Sequence, residues 1–129
     1  MLKVLDKYQA ESYALLRIVT GFMFALHGLQ KTFGLLGGTR HELASQMGVG
    51  GLIELLAGLA VMVGFSTRLA AFLASGQMAV AYVQFHWKFQ LGEQFLPVVN
   101  RGELAALYSF VFLLIATRGA GTWSVDARA

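Results

Sequence analysis

Few side chains in this sequence can do chemistry, and their spacing is the first thing to explain. His27 and Lys31 are four apart, which puts them on one face of a helix. Glu54 stands alone in an apolar run, and Tyr82, Gln84 and His86 close another. Asn100, Arg101 and Glu103 open a last apolar stretch, and Arg17 lies about a turn inside the first. A proton relay, or a site for the ring head of a quinone, needs a histidine or carboxylate beside aromatic walls. His27, Glu54, Tyr82, His86 and Glu103 supply that set as candidate cofactor-binding residues. In this reading Glu54 and Glu103 exchange protons, while His27 and His86 donate hydrogen bonds to a carbonyl oxygen. Arg17, Lys31, Asn100 and Arg101 serve structure and polar pairing, with Glu54 matched to His27 or Lys31. Two histidines also raise bis-histidine haem ligation, but nothing else specifies haem, and it is not expected. No two metal ligands share a tight motif, so no metal site is assigned. A phosphate-cradling glycine loop, a nucleophile elbow and a hydrolytic carboxylate pair are all missing, so no catalytic residue is assigned. With no cysteine, disulfides and dithiol redox chemistry within this chain are excluded.

Composition says what scaffold must position these groups. Of 129 residues 57% are hydrophobic and 13% charged, and mean hydropathy is +0.61. A soluble domain is about a quarter charged. A soluble bundle of four helices would lack a polar face to meet water. Four stretches approach the roughly 20 apolar residues that span a hydrocarbon core of about 30 Å: about 12–34, 49–65, 69–87 and 102–117. The residues Phe95 to Val99 form an apolar dip ahead of the short fourth stretch. The expected fold is an all-α membrane protein, an antiparallel four-helix transmembrane bundle forming a single domain. The net charge of +3 comes without a basic run, so nucleic acid is not an expected partner.

Basic residues set the expected orientation. Lys3, Lys7, Arg17, Arg68, Arg118 and Arg128 fall on one side, and Lys31, Arg40, Lys88 and Arg101 on the other. This excess favours both termini in the cytoplasm. Asp6 and Glu11 interrupt the N-terminal basic region, which does not read as a cleavable signal. Trp123 suits the inner aromatic belt, and Tyr82, Phe85, Trp87 and Phe89 the outer one.

With four spans, the polar groups named above fall within about 10 Å of one another in depth near the outer end, at a rise of about 1.5 Å per residue. Two readings of that layer stay open. Carboxylates in first turns and cations in last turns complement the helix dipole, and long side chains such as Lys31, Lys88 and Arg101 snorkel cheaply. Glu54 is deeper and too short to snorkel, which favours a paired interior role. Arg17 either pairs with a carboxylate such as Asp126 or snorkels inward. Gly21 and Gly28 form one small-residue stripe, and Gly58 and Gly76 mark further close helix contacts. A weak repeat places Glu54 ahead of Thr67 and Arg68, and Glu103 ahead of Thr117 and Arg118.

The pattern resembles the DoxX family of small bacterial four-helix membrane proteins. The residues that carry it are Arg17, Gly21, His27, Gly28 and Lys31, then Gly51 to Glu54 with Gly58, then Thr67, Arg68, Ala70 and Ala71. It continues through Asn100, Arg101, Gly102 and Glu103, Leu107 and Tyr108, Gly119 to Gly121, and Ser124 to Asp126. Arg101 departs from the family, which more often shows a second glycine there. The resemblance implies a membrane subunit of a quinone-linked or oxidative-stress redox system at the bacterial inner membrane, not catalytic alone. The implied partners are the lipid bilayer, a redox partner protein and further copies of the chain, with quinone as the implied cofactor. A small-solute carrier or channel using Glu54, and a non-catalytic scaffold for partner proteins, are the alternative functions.

Overall fold

The computed structural model describes residues 2–128, most of which are helical, with no strand among them. A 3-10 turn, Leu2–Tyr8, runs into α1, Gln9–Phe33. Then come α2, Gln46–Val63, and α3, Thr67–Ala81, which continues as a π-helical turn, Tyr82–Trp87. After a 3-10 turn, Gly92–Phe95, the short α4 covers Pro97–Asn100. The last long helix is α5, Glu103–Arg118, and Asp126–Arg128 ends the described chain in a 3-10 turn.

The boundaries have local causes. α2 begins ahead of its apolar run because Ser45 caps it, accepting the Gly48 N–H at 3.0 Å. Gly34 and Gly64 end α1 and α2 in the left-handed conformation, at φ of 68° and 74°. Pro97 starts α4, where its missing N–H costs nothing. The apolar stretch at 69–87 is helical throughout but changes its winding at Tyr82.

The helices associate as two antiparallel pairs, α1 with α2 and α3 with α5, joined mainly through α2 and α3. Register can be read from the contacts. Gly21 faces Gly58 and Met62, Gly28 faces Leu55, and Lys31 faces Gly51. A Cβ on Gly21 would lie 2.5 Å from the Met62 nitrogen, and one on Gly58 2.5 Å from the Ala25 nitrogen, so only glycine permits this approach. Gly76 does not act as expected: a Cβ there would meet nothing within 4 Å. α3 instead meets α5 through alanines and a reciprocal pair of bonds. Ser75 Oγ donates to Ser109 O at 2.7 Å, and Ser109 Oγ to Ser75 O at 3.2 Å.

Phe24, Val61, Ala71, Ala74, Phe112 and Ile115 form the innermost core. The outside is just as apolar, with Phe72 64% exposed, Leu107 64% and Phe110 71%. Such a surface is costly against water and unremarkable against lipid. Two stretches, Leu2–Phe33 and Gln46–Val63, are long and apolar enough to cross a membrane. α3 and α5, with 15 and 16 residues, are each only about 23 Å long.

Candidate functional site

The last turns of α1, the first of α2, the end of α3 with its π turn, and the start of α5 line a half-open cavity of about 500 Å³. His27, Lys31, Glu54, Gln77, His86 and Arg101 bring polar groups to its lining. Phe24, Ile53, Met78 and Tyr108 are among its apolar and aromatic walls. The antiparallel register of α1 and α2 is what brings Lys31 to Glu54. Gly51 leaves room for the lysine stem, since a Cβ there would lie 2.5 Å from Lys31 Cβ.

Glu54 is 2% exposed, and its Oε1 accepts from Lys31 Nζ at 2.6 Å. Gln77 Nε2 reaches the same oxygen at 3.3 Å and donates to Gly50 O at 3.0 Å. Both atoms facing that nitrogen are acceptors, so the amide is held in one orientation. Glu54 Oε2, Gln77 Oε1 and the Tyr108 hydroxyl are buried without a hydrogen-bond partner. All three side chains line the cavity. Each such atom costs about 1–3 kcal/mol; Glu11 Oε2, Arg17 Nε and Thr32 Oγ1, away from the cavity, are buried in the same way.

Aromatic rings form the wall beneath. Phe24 meets Phe112 at a centroid distance of 4.7 Å and Tyr108 at 5.5 Å, both edge-on. His27 stands perpendicular to Tyr108 at 6.4 Å. The π turn carries His86, whose Nδ1 lies 3.3 Å from Asn100 O. Asn100, at the end of α4, and Tyr82, which opens the π turn, frame the site and are not part of its lining. Asn100 Nδ2 donates to the Tyr82 hydroxyl at 3.0 Å and to Gln94 O at 2.8 Å, and its Oδ1 accepts the Gly102 N–H at 2.8 Å. The Tyr82 hydroxyl donates to Phe95 O. Arg101 reaches the lining from a left-handed backbone, φ 61°.

Glu103 is exposed and outside the lining, although it starts α5 at the same end. The carboxylates that the weak repeat equates therefore occupy unlike surroundings. Gln77 and Tyr108 are functional candidates that spacing did not single out. The signal for Gln77 was an amide in the apolar stretch of α3; Tyr108 had none beyond its place in the family motif. Among the described residues no three histidines or carboxylates gather as metal ligands would.

The opposite end of the helix pairs is built differently. Arg17 is 0% exposed, and its guanidinium donates to four backbone carbonyls. Nη1 reaches Val61 O at 2.8 Å and Met62 O at 2.7 Å, while Nη2 reaches Thr122 O at 3.1 Å and Trp123 O at 2.7 Å. It neither pairs directly with Asp126 nor snorkels to the surface, as had been the two expectations. It adds a second donor to the Val61 carbonyl, which also accepts from the Gly64 N–H, satisfies that of Met62, and ties the C-terminal segment to the end of α2. Asp126 caps the start of α3, accepting from the Thr67 hydroxyl at 2.7 Å and from the Thr67 and Ser66 N–H groups at 2.9 Å. These bonds, led by that from the Thr67 hydroxyl, hold its carboxyl below the usual aspartate range. Arg68 closes the end of α5 by donating to Ala116 O at 3.0 Å and Thr117 O at 2.5 Å.

Residues 12–87, more than half of the chain, match the family model for DoxX. The chain belongs to the DoxX family. An uncharacterized protein of Haemophilus influenzae is 39% identical over 126 residues, covering 95% of this chain and 93% of that one. Inner membrane protein YqjF of Escherichia coli K12 is 31% identical over 117 residues, 85% of each chain. No solved structure matches. The DoxX match contains His27, Lys31, Glu54, Gln77 and His86, and so most of the polar lining, while Arg101 and Tyr108 come from beyond it. As a DoxX-family membrane protein, the chain presents its apolar exterior to lipid.

Proposed function

We propose that this DoxX protein is a single-domain, four-span bundle of the bacterial inner membrane, and that its cavity binds the ring head of a quinone as part of a redox system. The observation that carries this is an apolar, aromatic-walled cavity to whose lining His27, Lys31, Glu54, Gln77, His86 and Arg101 bring polar groups. Its volume of about 500 Å³ lies within the range of small-molecule sites, about 300–1,000 Å³. A quinone has the matching chemistry: a flat apolar ring carrying polar oxygens, which when bound supplies two-electron, two-proton exchange. Lys31 holds Glu54 in place, Tyr108 and His27 offer donors, and Phe24 and Met78 pack against the ring. The exposed apolar exterior and the inner-membrane relative in Escherichia coli support the bilayer placement. The π turn lengthens the third span, and the excess of basic residues near the termini supports a cytoplasmic location for both.

Organic extraction of the protein purified in mild detergent is expected to yield quinone, and added quinone analogues to raise its melting temperature. Absence of both effects overturns the quinone reading. The chain has no cysteine, so single substitutions report topology cleanly. Gln90→Cys, at an exposed position, is expected to react with an impermeant maleimide on intact spheroplasts, and Thr122→Cys only after permeabilisation. The same accessibility at both positions overturns the four-span arrangement.

A further inference from the structure

The cavity reaches the surface of the bundle through the seam between α2 and α3. Two side-chain bridges cross that seam. Gln46 Nε2 donates to Gln84 Oε1 at 2.6 Å at the start of α2, and Gln77 Nε2 donates to Gly50 O at 3.0 Å further in. Between the bridges stand Val49 on α2 and Val80 on α3, which line the cavity and yet are 48% and 57% exposed. The window they flank extends about 6 Å along α2 and about 10 Å along α3, at a rise of about 1.5 Å per residue. Gly76 lies one turn inward from Val80 on the same face of α3. It is exposed, and a Cβ there would meet nothing within 4 Å, so close packing does not account for this glycine. The antiparallel register that sets Gly50 opposite Gln77 puts Leu56 near the level of Leu73, both more than half exposed. Gly76 therefore leaves an open apolar track that begins at the window and runs toward the middle of the bundle.

We infer that the ligand of this cavity is an amphiphile with one hydrocarbon tail, which leaves between Val49 and Val80 and runs inward over Gly76. This rests on the quinone-site reading above and adds to it a second subsite, for the tail. The succession of chemistries carries it. His27, Lys31, Glu54 and His86 bring polar groups to the cavity, branched aliphatic side chains flank the window, and bare helix surface follows. That order, polar and then apolar, matches a ring head joined to an alkyl or prenyl chain. Lipid surrounds the exterior of the bundle, so a tail passing out of the seam stays in hydrocarbon along its whole length. A head tethered in this way reaches the cavity sideways from the bilayer without crossing water. The Gln46–Gln84 bridge closes the seam at the end of the window away from Gly76, which leaves the inward route as the open one.

The test uses the full chain in mild detergent with two ligands: tetramethylbenzoquinone, which has no tail, and the homologue in which decyl replaces one methyl group. Affinities are read from the rise of melting temperature with ligand concentration, and comparing each ligand across variants cancels its partition into detergent. Gly76→Leu fills the track, and Val80→Trp fills the window. Each is expected to weaken binding of the decyl homologue about fivefold or more, by the clash it introduces, and to leave tetramethylbenzoquinone within about twofold. Gly76 lies outside the cavity lining, and leucine suits a helix better than glycine, so Gly76→Leu is expected to fold with the head site intact. Phe110→Trp, on the exposed face of α5, is the control and is expected to change neither affinity. A decyl chain bearing a diazirine near its end is expected to label α2 and α3 around Leu56 and Leu73. Unchanged affinity for the decyl homologue in either variant, an equal loss for both ligands in Gly76→Leu, or labelling confined to α1 or α5 overturns the tail route and leaves the quinone site standing. If neither quinone binds the unaltered protein, the quinone reading falls, and 4-methylphenol and 4-decylphenol take their place in the same comparison. A selective loss for decylphenol then upholds the tail route, and an equal loss, no loss or no binding overturns it.

Discussion

Arg17 and Glu54 are the charged side chains most fully removed from solvent among the described residues, at 0% and 2% exposure, and they occupy opposite ends of the α1–α2 pair. Their surroundings differ in kind. Arg17 spends both terminal nitrogens on four carbonyls, leaving only Nε without a partner. Glu54 has one oxygen shared by Lys31 and Gln77 and the other with no partner, beside a cavity of about 500 Å³. Burial alone therefore does not identify a site. A buried charge whose bonds are met by backbone welds the fold, whereas one whose bonds are half met beside a cavity supports the binding role proposed above.

That contrast can be broken by substitution, and the largest effect is expected at Arg17. Arg17→Met strands carbonyls from α2 and from the C-terminal segment in one step. A loss of about 3–5 kcal/mol is expected, the scale for breaking a buried charged network, read as a lower melting temperature in detergent. Ligand-induced stabilisation should survive in the fraction that folds, because the cavity lies at the other end. Loss of ligand response with unchanged melting would invert the assignment of the two ends.

Glu54→Gln should behave the other way round. The amide keeps the shape of the carboxylate, and Lys31, partly exposed, can turn to water. The expected destabilisation is only about 1 kcal/mol. The ligand-induced melting shift should nonetheless fall strongly. A destabilisation as large as that at Arg17, with ligand response intact, would make Glu54 structural.

The smallest effect sharpens the account of the Arg17 end. The folded-state pKa of Asp126 lies below its unfolded value of about 3.9, so the cap stabilises fully above that value. Its contribution is lost as pH falls through the lower, folded value. Melting followed from pH 7 to pH 3 should show a downward step at the acid end that Asp126→Asn removes. An unchanged profile in the variant would assign the acid sensitivity to other carboxylates.

Much of this was legible in the residues. The lone Glu54 and the four-residue step from His27 to Lys31 marked the polar end of the molecule before any packing was known. The stripe Gly21 and Gly28 marked the α1–α2 contact, because only close backbones need missing side chains. Gly76 carried the same signal and makes no contact, since sequence cannot say which face of α3 turns toward a neighbour. Asn100 and Glu103 lay at the right depth yet not in the cavity wall, because depth along a helix leaves rotation about its axis free. Gln77 was missed for a related reason: a neutral amide in an apolar run reads as a tolerated exception until its partners are seen.

Composition and the spacing of apolar residues by themselves determined that the chain is helical and suited to a bilayer, with its ionisable groups gathered near the helix ends. These are one-dimensional properties, decided by how much apolar surface there is and how long each run lasts. Tertiary structure alone decided that Lys31 and not His27 holds Glu54, and that Arg17 binds carbonyls and not Asp126. It also decided which oxygens are left without donors. Those outcomes depend on the rotation and register of packed helices, where a shift of one residue turns a side chain by about 100° and exchanges every partner it has.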